Sequence, residues 1–159
     1  MLSLKTALKK QLKGAKRVAV LAVGSELRGD DAAGMLVAEG LKYFAGKKLR
    51  VFLGATAPEN LSGEIRRFMP THVLIVDAAD LGKKAGAISL ISPQEAGGIS
   101  FSTHQLPLKF LADYLQETLG CAVLLIGIQP KKITFGAPPS PAVRKSAKLV
   151  SDTIKEIIG

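Results

Sequence analysis

Short uninterrupted apolar runs alternate along this chain with stretches in which apolar residues recur every three or four positions. Arg17 to Val23, Leu49 to Leu53, His72 to Val76 and Cys121 to Ile126 are of the first kind, and read as strands buried on both faces. Asp31 to Phe44 carries Met35, Val37, Ala38, Leu41 and Phe44 at helical spacing, and Glu59 to Met69 carries Leu61, Ile65 and Phe68. Pro107 to Leu119 repeats the pattern with Leu108, Leu111 and Leu115, its proline suited to a first turn. The last periodic stretch, Pro141 to Ile158, sets Val143, Ala147, Val150, Ile154 and Ile157 on one stripe.

Strand followed by helix, several times over, predicts an α/β fold. The expectation is a single three-layer domain over residues 1–159, with a largely parallel twisted sheet of about five strands and helices on both faces. Ala87 to Ile91 follows its predecessor with no helix between, which fits an antiparallel edge, and Pro93 to Thr103 reads as loop. Leu4, Leu8 and Leu12 make residues 1–16 a lysine-rich N-terminal helix packed on the domain.

Composition narrows the function. At 159 residues and 47% apolar content the chain can bury one core, and a charged fraction of 22% is not that of a disordered protein. The single cysteine, Cys121, excludes an internal disulfide and a multi-thiolate cluster, and opens an apolar run as a buried residue would. No apolar stretch approaches the ~20 residues of a membrane span, so no membrane insertion is expected. Lysines 5, 9, 10, 13 and 16 interrupt any signal-like core, and a cytoplasmic location follows. The net charge of +9 comes from scattered pairs such as Lys9-Lys10 and Lys131-Lys132, without interleaved aromatics. That describes a solvated surface rather than a nucleic-acid groove.

In open parallel sheets, ligands gather beyond the carboxyl ends of the strands. Asp77 ends the third strand, Asp30 and Asp31 follow the first through Gly24 to Gly29, and His104 lies in the loop Phe101 to Gln105. His72 starts the strand that Asp77 ends, about 16 Å away at strand rise, and belongs to the opposite edge. The glycines at 24, 29 and 34 match neither a dinucleotide fingerprint nor a P-loop, and two carboxylates at the helix start would repel phosphate. A non-catalytic Rossmann-like nucleotide- or anion-binding domain remains the alternative.

Aspartates 30 and 31 divide naturally into Asp30 as helix cap and Asp31 as a free carboxylate. Alone, Asp77 could cap the turn Ala78-Ala79-Asp80, and His104 could be an ordinary loop residue. Together, Asp31, Asp77 and His104 form a two-carboxylate, one-imidazole set suited to a borderline divalent metal. Thr56 to Glu59 fits a capping box. No serine sits in a nucleophile-elbow context, so covalent catalysis is disfavoured.

Several of these segments carry a family resemblance. Val23-Gly24-Ser25-Glu26-Leu27-Arg28-Gly29-Asp30-Asp31 with Gly34, then Ile75-Val76-Asp77-Ala78, then Ser102-Thr103-His104-Gln105-Leu106-Pro107-Leu108 resemble, in order, the three motifs of [NiFe]-hydrogenase maturation endopeptidases. Gly54 to Asn60 and Gly127 to Pro130 are similar to the HycI-type subgroup, which serves membrane-associated, energy-converting or formate-hydrogenlyase-type hydrogenases. Ser25 stands where that family commonly has Asn, and Ala32 where it commonly has Gly. The resemblance implies a protease that removes the C-terminal extension of a [NiFe]-hydrogenase large-subunit precursor after nickel insertion. It also implies that Asp31, Asp77 and His104 are the metal-contacting and catalytic residues. Nickel would arrive with the precursor rather than reside in the protease as a cofactor, and substrate thiolates could fill its open positions. Whether the ion polarises the carbonyl or a carboxylate activates water is left open, as is the role of Arg28. A monomer is expected.

Overall fold

The computed structural model describes residues 2–102 and 106–159. Helix α1 (Leu4–Gln11) starts at Ser3, whose hydroxyl accepts the Thr6 amide at 3.2 Å, and buries Leu8 completely. There follow β1 (Val18–Val23), α2 (Ala33–Leu41), β2 (Leu49–Ala55), α3 (Ser62–Phe68) and β3 (His72–Asp80). The second half comprises β4 (Ile88–Ile91), β5 (Ser100–Phe101), α4 (Leu108–Leu119), β6 (Ala122–Ile128) and α5 (Pro141–Ile158). The main sheet runs β2-β1-β3-β6-β4, with the first four strands parallel and β4 antiparallel to β6 at the edge.

Side chains alternate across each central strand, and each face meets its own helices. Val18, Val20, Leu74, Val76 and Ile126 join a core with Val37, Leu41, Val150 and Ile154 of α2 and α5, onto which Leu8 of α1 packs. Ala19, Leu21, Val73, Ile75 and Leu125 join a second core with Ile65 and Phe68 of α3 and Leu108, Leu111 and Leu115 of α4. The three layers expected from the apolar pattern are therefore present, and the lysine-rich N-terminal segment packs as a helix, tied to α5 by Lys5 and Glu156. No helix among the described residues is long and apolar enough to cross a membrane.

Four local expectations are corrected. Residues 93–102, read as loop, contain a 3-10 turn (Ala96–Gly98) and the two-residue β5, too short to show a period, which brings the sheet to six strands among the described residues. The helix expected from Asp31 begins at Ala33, behind a 3-10 turn (Gly29–Ala32) that holds both aspartates. The capping box at Thr56 does not form. Pro58–Leu61 is a 3-10 turn with no side-chain cap, opened instead by the Asn60 amide on the Ala57 carbonyl at 3.1 Å. Finally, β3 does not stop at Asp77. It runs on to Asp80, because β6 still pairs with Asp77 and Ala78, and β5 with Ala79 and Asp80. Asp77 is thus an interior strand residue and caps no turn.

Candidate functional site

The crevice opens where β1 and β3 part. They pair as far as Ala22 and Val76; then β1 ends and the chain turns at Gly24, while β3 continues. β6 holds one flank of β3 through Ala78 and Ile128, and β5 takes the flank that β1 vacates. Two glycines permit the approach. Gly24 has φ +126°, and a Cβ there would lie 2.0 Å from the Asp31 carbonyl oxygen and 3.6 Å from Asp77 Oδ1. Gly34, in the first turn of α2, rests on the strand ends: a Cβ would lie 2.3 Å from the Val76 oxygen and 2.4 Å from that of Val23. The glycines that fit no phosphate motif serve to press helix against strands. With carboxylates already at that helix start, the geometry does not favour the nucleotide-binding alternative.

Asp31 and Asp77 are both fully buried. Asp77 accepts the Ala78 amide at 2.8 Å on Oδ1, the Ser102 amide at 3.0 Å on Oδ2, and the Ser102 hydroxyl on Oδ1. Burial pushes its carboxyl up to about 8; the Ser102 hydroxyl pulls it back, and the neighbouring charge of Asp31 adds to the rise. Asp31 Oδ2 accepts the Ser25 amide at 3.1 Å, so serine at this position supplies its contact through the backbone. Asp31 Oδ1 is buried and has no hydrogen-bond partner among the described residues. Leaving an acceptor unsatisfied in this way costs about 1–3 kcal/mol, and more when it is charged. An acceptor kept at that cost, beside a second buried carboxylate, has the chemistry of a cation ligand. Ala32, in place of glycine, is accommodated at φ −75° with no left-handed turn.

Asp30 does not cap its own helix. Its buried carboxylate accepts the Lys131, Lys132 and Ser140 amides at 2.8, 3.3 and 2.6 Å, and the Ser140 hydroxyl at 2.8 Å. Burial opposes its ionisation, but these donors outweigh it and hold the carboxyl below the ordinary carboxylate range. Asp30 therefore fastens the first loop to the start of α5, while Asp31 keeps one oxygen without a partner among the described residues.

His104 lies outside the described residues, together with Thr103 and Gln105. Among the described residues no group of three or more potential metal ligands forms; what they bring together is the aspartate pair. Ser102, two positions before His104, is a hydrogen-bond partner of Asp77 that the sequence pattern did not single out, although it stands inside the third motif. Arg28 forms no ion pair with either aspartate among the described residues. His72 starts β3 at the far edge, against the Thr71 hydroxyl at 3.0 Å. Cys121 is buried, its thiol pushed up by burial, as a structural residue would be.

The fold and the crevice define an α/β protein with a pair of buried carboxylates at the strand ends of a parallel sheet. The family model for hydrogenase maturation proteases matches residues 35–157, a span that includes Asp77 and begins after Asp31. A putative hydrogenase maturation protease of Methanocaldococcus jannaschii is 34% identical, over 98% of this chain and 96% of its own length. The hydrogenase 3 maturation protease of Escherichia coli K12 is 38% identical, over 82% of this chain and 84% of its own. The crystal structure of the [NiFe] hydrogenase maturation protease HycI from Thermococcus kodakarensis superposes with a TM-score of 0.89 at 33% identity, covering 96% of this chain and 98% of that one. This chain belongs to the hydrogenase maturation protease family and is an endopeptidase.

Proposed function

We propose that this endopeptidase removes the C-terminal extension of a [NiFe]-hydrogenase large-subunit precursor once nickel has been inserted. It does so by grasping the nickel that the precursor carries. Asp31 Oδ1 supplies one ligand, Asp77 a second, and His104 the third. The observation that carries this reading is the buried Asp31 oxygen, without a partner among the described residues, beside a second buried carboxylate. Burial and the neighbouring Asp31 oppose ionisation of Asp77 until a cation lies between the two. A borderline divalent ion suits two oxygens and an imidazole, and keeps positions open for ligands from the precursor. The ion is then substrate, a mark that the precursor is loaded, rather than a resident cofactor. The scissile bond is presented at the crevice mouth, where water adds to its carbonyl carbon and the amine leaves with a proton. We place the reaction in the cytoplasm, in keeping with a single unpaired cysteine, and assign it to a monomer.

The test is incubation of precursor, with and without nickel, followed by the mass of the large subunit. Wild type should shorten only the loaded form. Asp31→Ala and His104→Ala should leave both forms intact while melting as folded proteins. Shortening of the loaded form by either variant at the wild-type rate overturns the ligand assignment.

A further inference from the structure

We infer that the outer edge of β2 is the docking strand for the substrate: the precursor's C-terminal segment adds to the sheet there as an extra strand and so delivers its scissile bond to the crevice. This rests on the endopeptidase activity and on the precursor proposed above as substrate.

β2 is the edge of the sheet next to β1. The Val18 amide donates to Lys48 O at 2.8 Å, and the register continues Val18 with Leu49 and Val20 with Val51. In a parallel ladder, alternate residues turn both backbone groups to the same neighbour. Lys48, Arg50 and Phe52 therefore face β1, while Leu49, Val51 and Leu53 face outward. The Leu49 carbonyl is taken by the Gly46 amide at 2.8 Å. No hydrogen bond among the described residues reaches the outward amides of Val51 and Leu53.

Exposed edges are usually guarded by a proline, an inward charge or a covering loop. This one has no proline, and Leu53 stands 60% exposed on it. Arg50 is held back over the Phe52 and Phe68 rings, each 5.8 Å away, rather than across the edge. An open groove lined by Arg50, Val51, Leu53, Leu61, Glu64 and Arg67 runs beside it.

Two features join this edge to the site. The Ala55 carbonyl, at the end of β2, accepts the Gly24 amide at 2.8 Å, and Gly24 is the residue pressed against Asp31 and Asp77 Oδ1. Ala55 itself has φ +49°, a left-handed backbone unusual for a residue with a Cβ, which turns the strand sharply at the rim. A peptide paired with β2 is therefore led to the carboxylates over about 20 Å, the rise of six or so strand residues. The opposite edge, β4, has only four residues and runs antiparallel to its neighbour β6, whereas β2 adjoins β1, the strand that leads into the Asp31 loop. An occupant that satisfies alternate backbone groups is an extended polypeptide, the form in which a peptide bond is exposed for hydrolysis.

The test is steady-state processing of nickel-loaded precursor by L53P and L53A. Proline removes the outward amide yet leaves the ladder to β1 intact, and is tolerated at strand edges. We expect KM to rise about tenfold in L53P, the worth of one backbone hydrogen bond, with kcat within about twofold of wild type, and L53A to change KM less than L53P does. In parallel, pulse hydrogen exchange on wild-type protein mixed with loaded precursor, within one turnover, should protect residues 49–55, which keeps the inference testable if L53P does not fold. Protection confined to residues 24–31, with these strand amides exchanging freely, overturns the docking strand and leaves the proposed function standing. If wild type neither binds nor shortens the precursor, both fall.

Discussion

Replacing Asp30 by its isosteric amide is the sharpest trial of how the site is held. In wild type, Oδ2 takes the Lys131 and Lys132 amides and the Ser140 hydroxyl, and Oδ1 takes the Ser140 amide at 2.6 Å. An asparagine oxygen can serve one of these two sides. Its NH2 must then face a backbone N–H, donor against donor, and that N–H is left unsatisfied at about 1–3 kcal/mol. The bonds that remain change from charge-assisted to neutral, a weakening of roughly 1 kcal/mol each. Relief from burying a charge returns part of this. The net expectation for Asp30→Asn is a loss of about 3 kcal/mol, or about 6–12 °C in a chain of this length. Urea denaturation followed by circular dichroism measures it. The wild-type carboxyl is held below its ordinary range, so its contribution is complete above the unfolded value near 4 and is lost as pH falls through the lower folded value. The gap between wild type and variant should accordingly be full at neutral pH and narrow below about pH 4. A neutral-pH difference under about 1 kcal/mol, or a gap that widens in acid, would refute the hydrogen-bond accounting.

Gly24→Ala should abolish processing and destabilise the fold by more than about 3 kcal/mol, because the new methyl would lie 2.0 Å from the Asp31 carbonyl; a variant with near-wild-type melting would count against the close approach. Ala55→Gly should stabilise by about 0.5–1 kcal/mol by relieving a left-handed backbone, net of the greater freedom of the unfolded chain. Destabilisation in chemical denaturation would show that no strain is stored there. Leu8→Ala removes a fully buried side chain from the contact of α1 with the main core and should cost about 2–4 kcal/mol. A cost near zero would mean that α1 is not part of the cooperative fold.

The layered architecture could be read from the chain because its two periods are distinct: continuous apolar runs for strands covered twice, and three-to-four spacing for the helices that cover them. The antiparallel edge was legible from a missing helix. β5 was not, since two residues carry no period, and neither was the extension of β3, because only pairing with β5 and β6 tells the strand to continue. That Asp31 and Asp77 would share a crevice followed from the strand-end rule. The division of labour between adjacent aspartates was half legible: Asp31 keeps one oxygen unpartnered among the described residues, but Asp30 serves partners 101 to 110 positions away, which no local pattern can announce. Ser102 was hidden for the same reason, its partner Asp77 being 25 residues off.

The stitch between Asp30 and Ser140 bears on how the enzyme comes into being. Until Ser140 is in place the first loop lacks two of the four donors that anchor it, the Lys131 and Lys132 amides supplying the others. The crevice loop is thus completed only when a segment more than a hundred residues later has docked on it, so its ordering waits on a long-range contact.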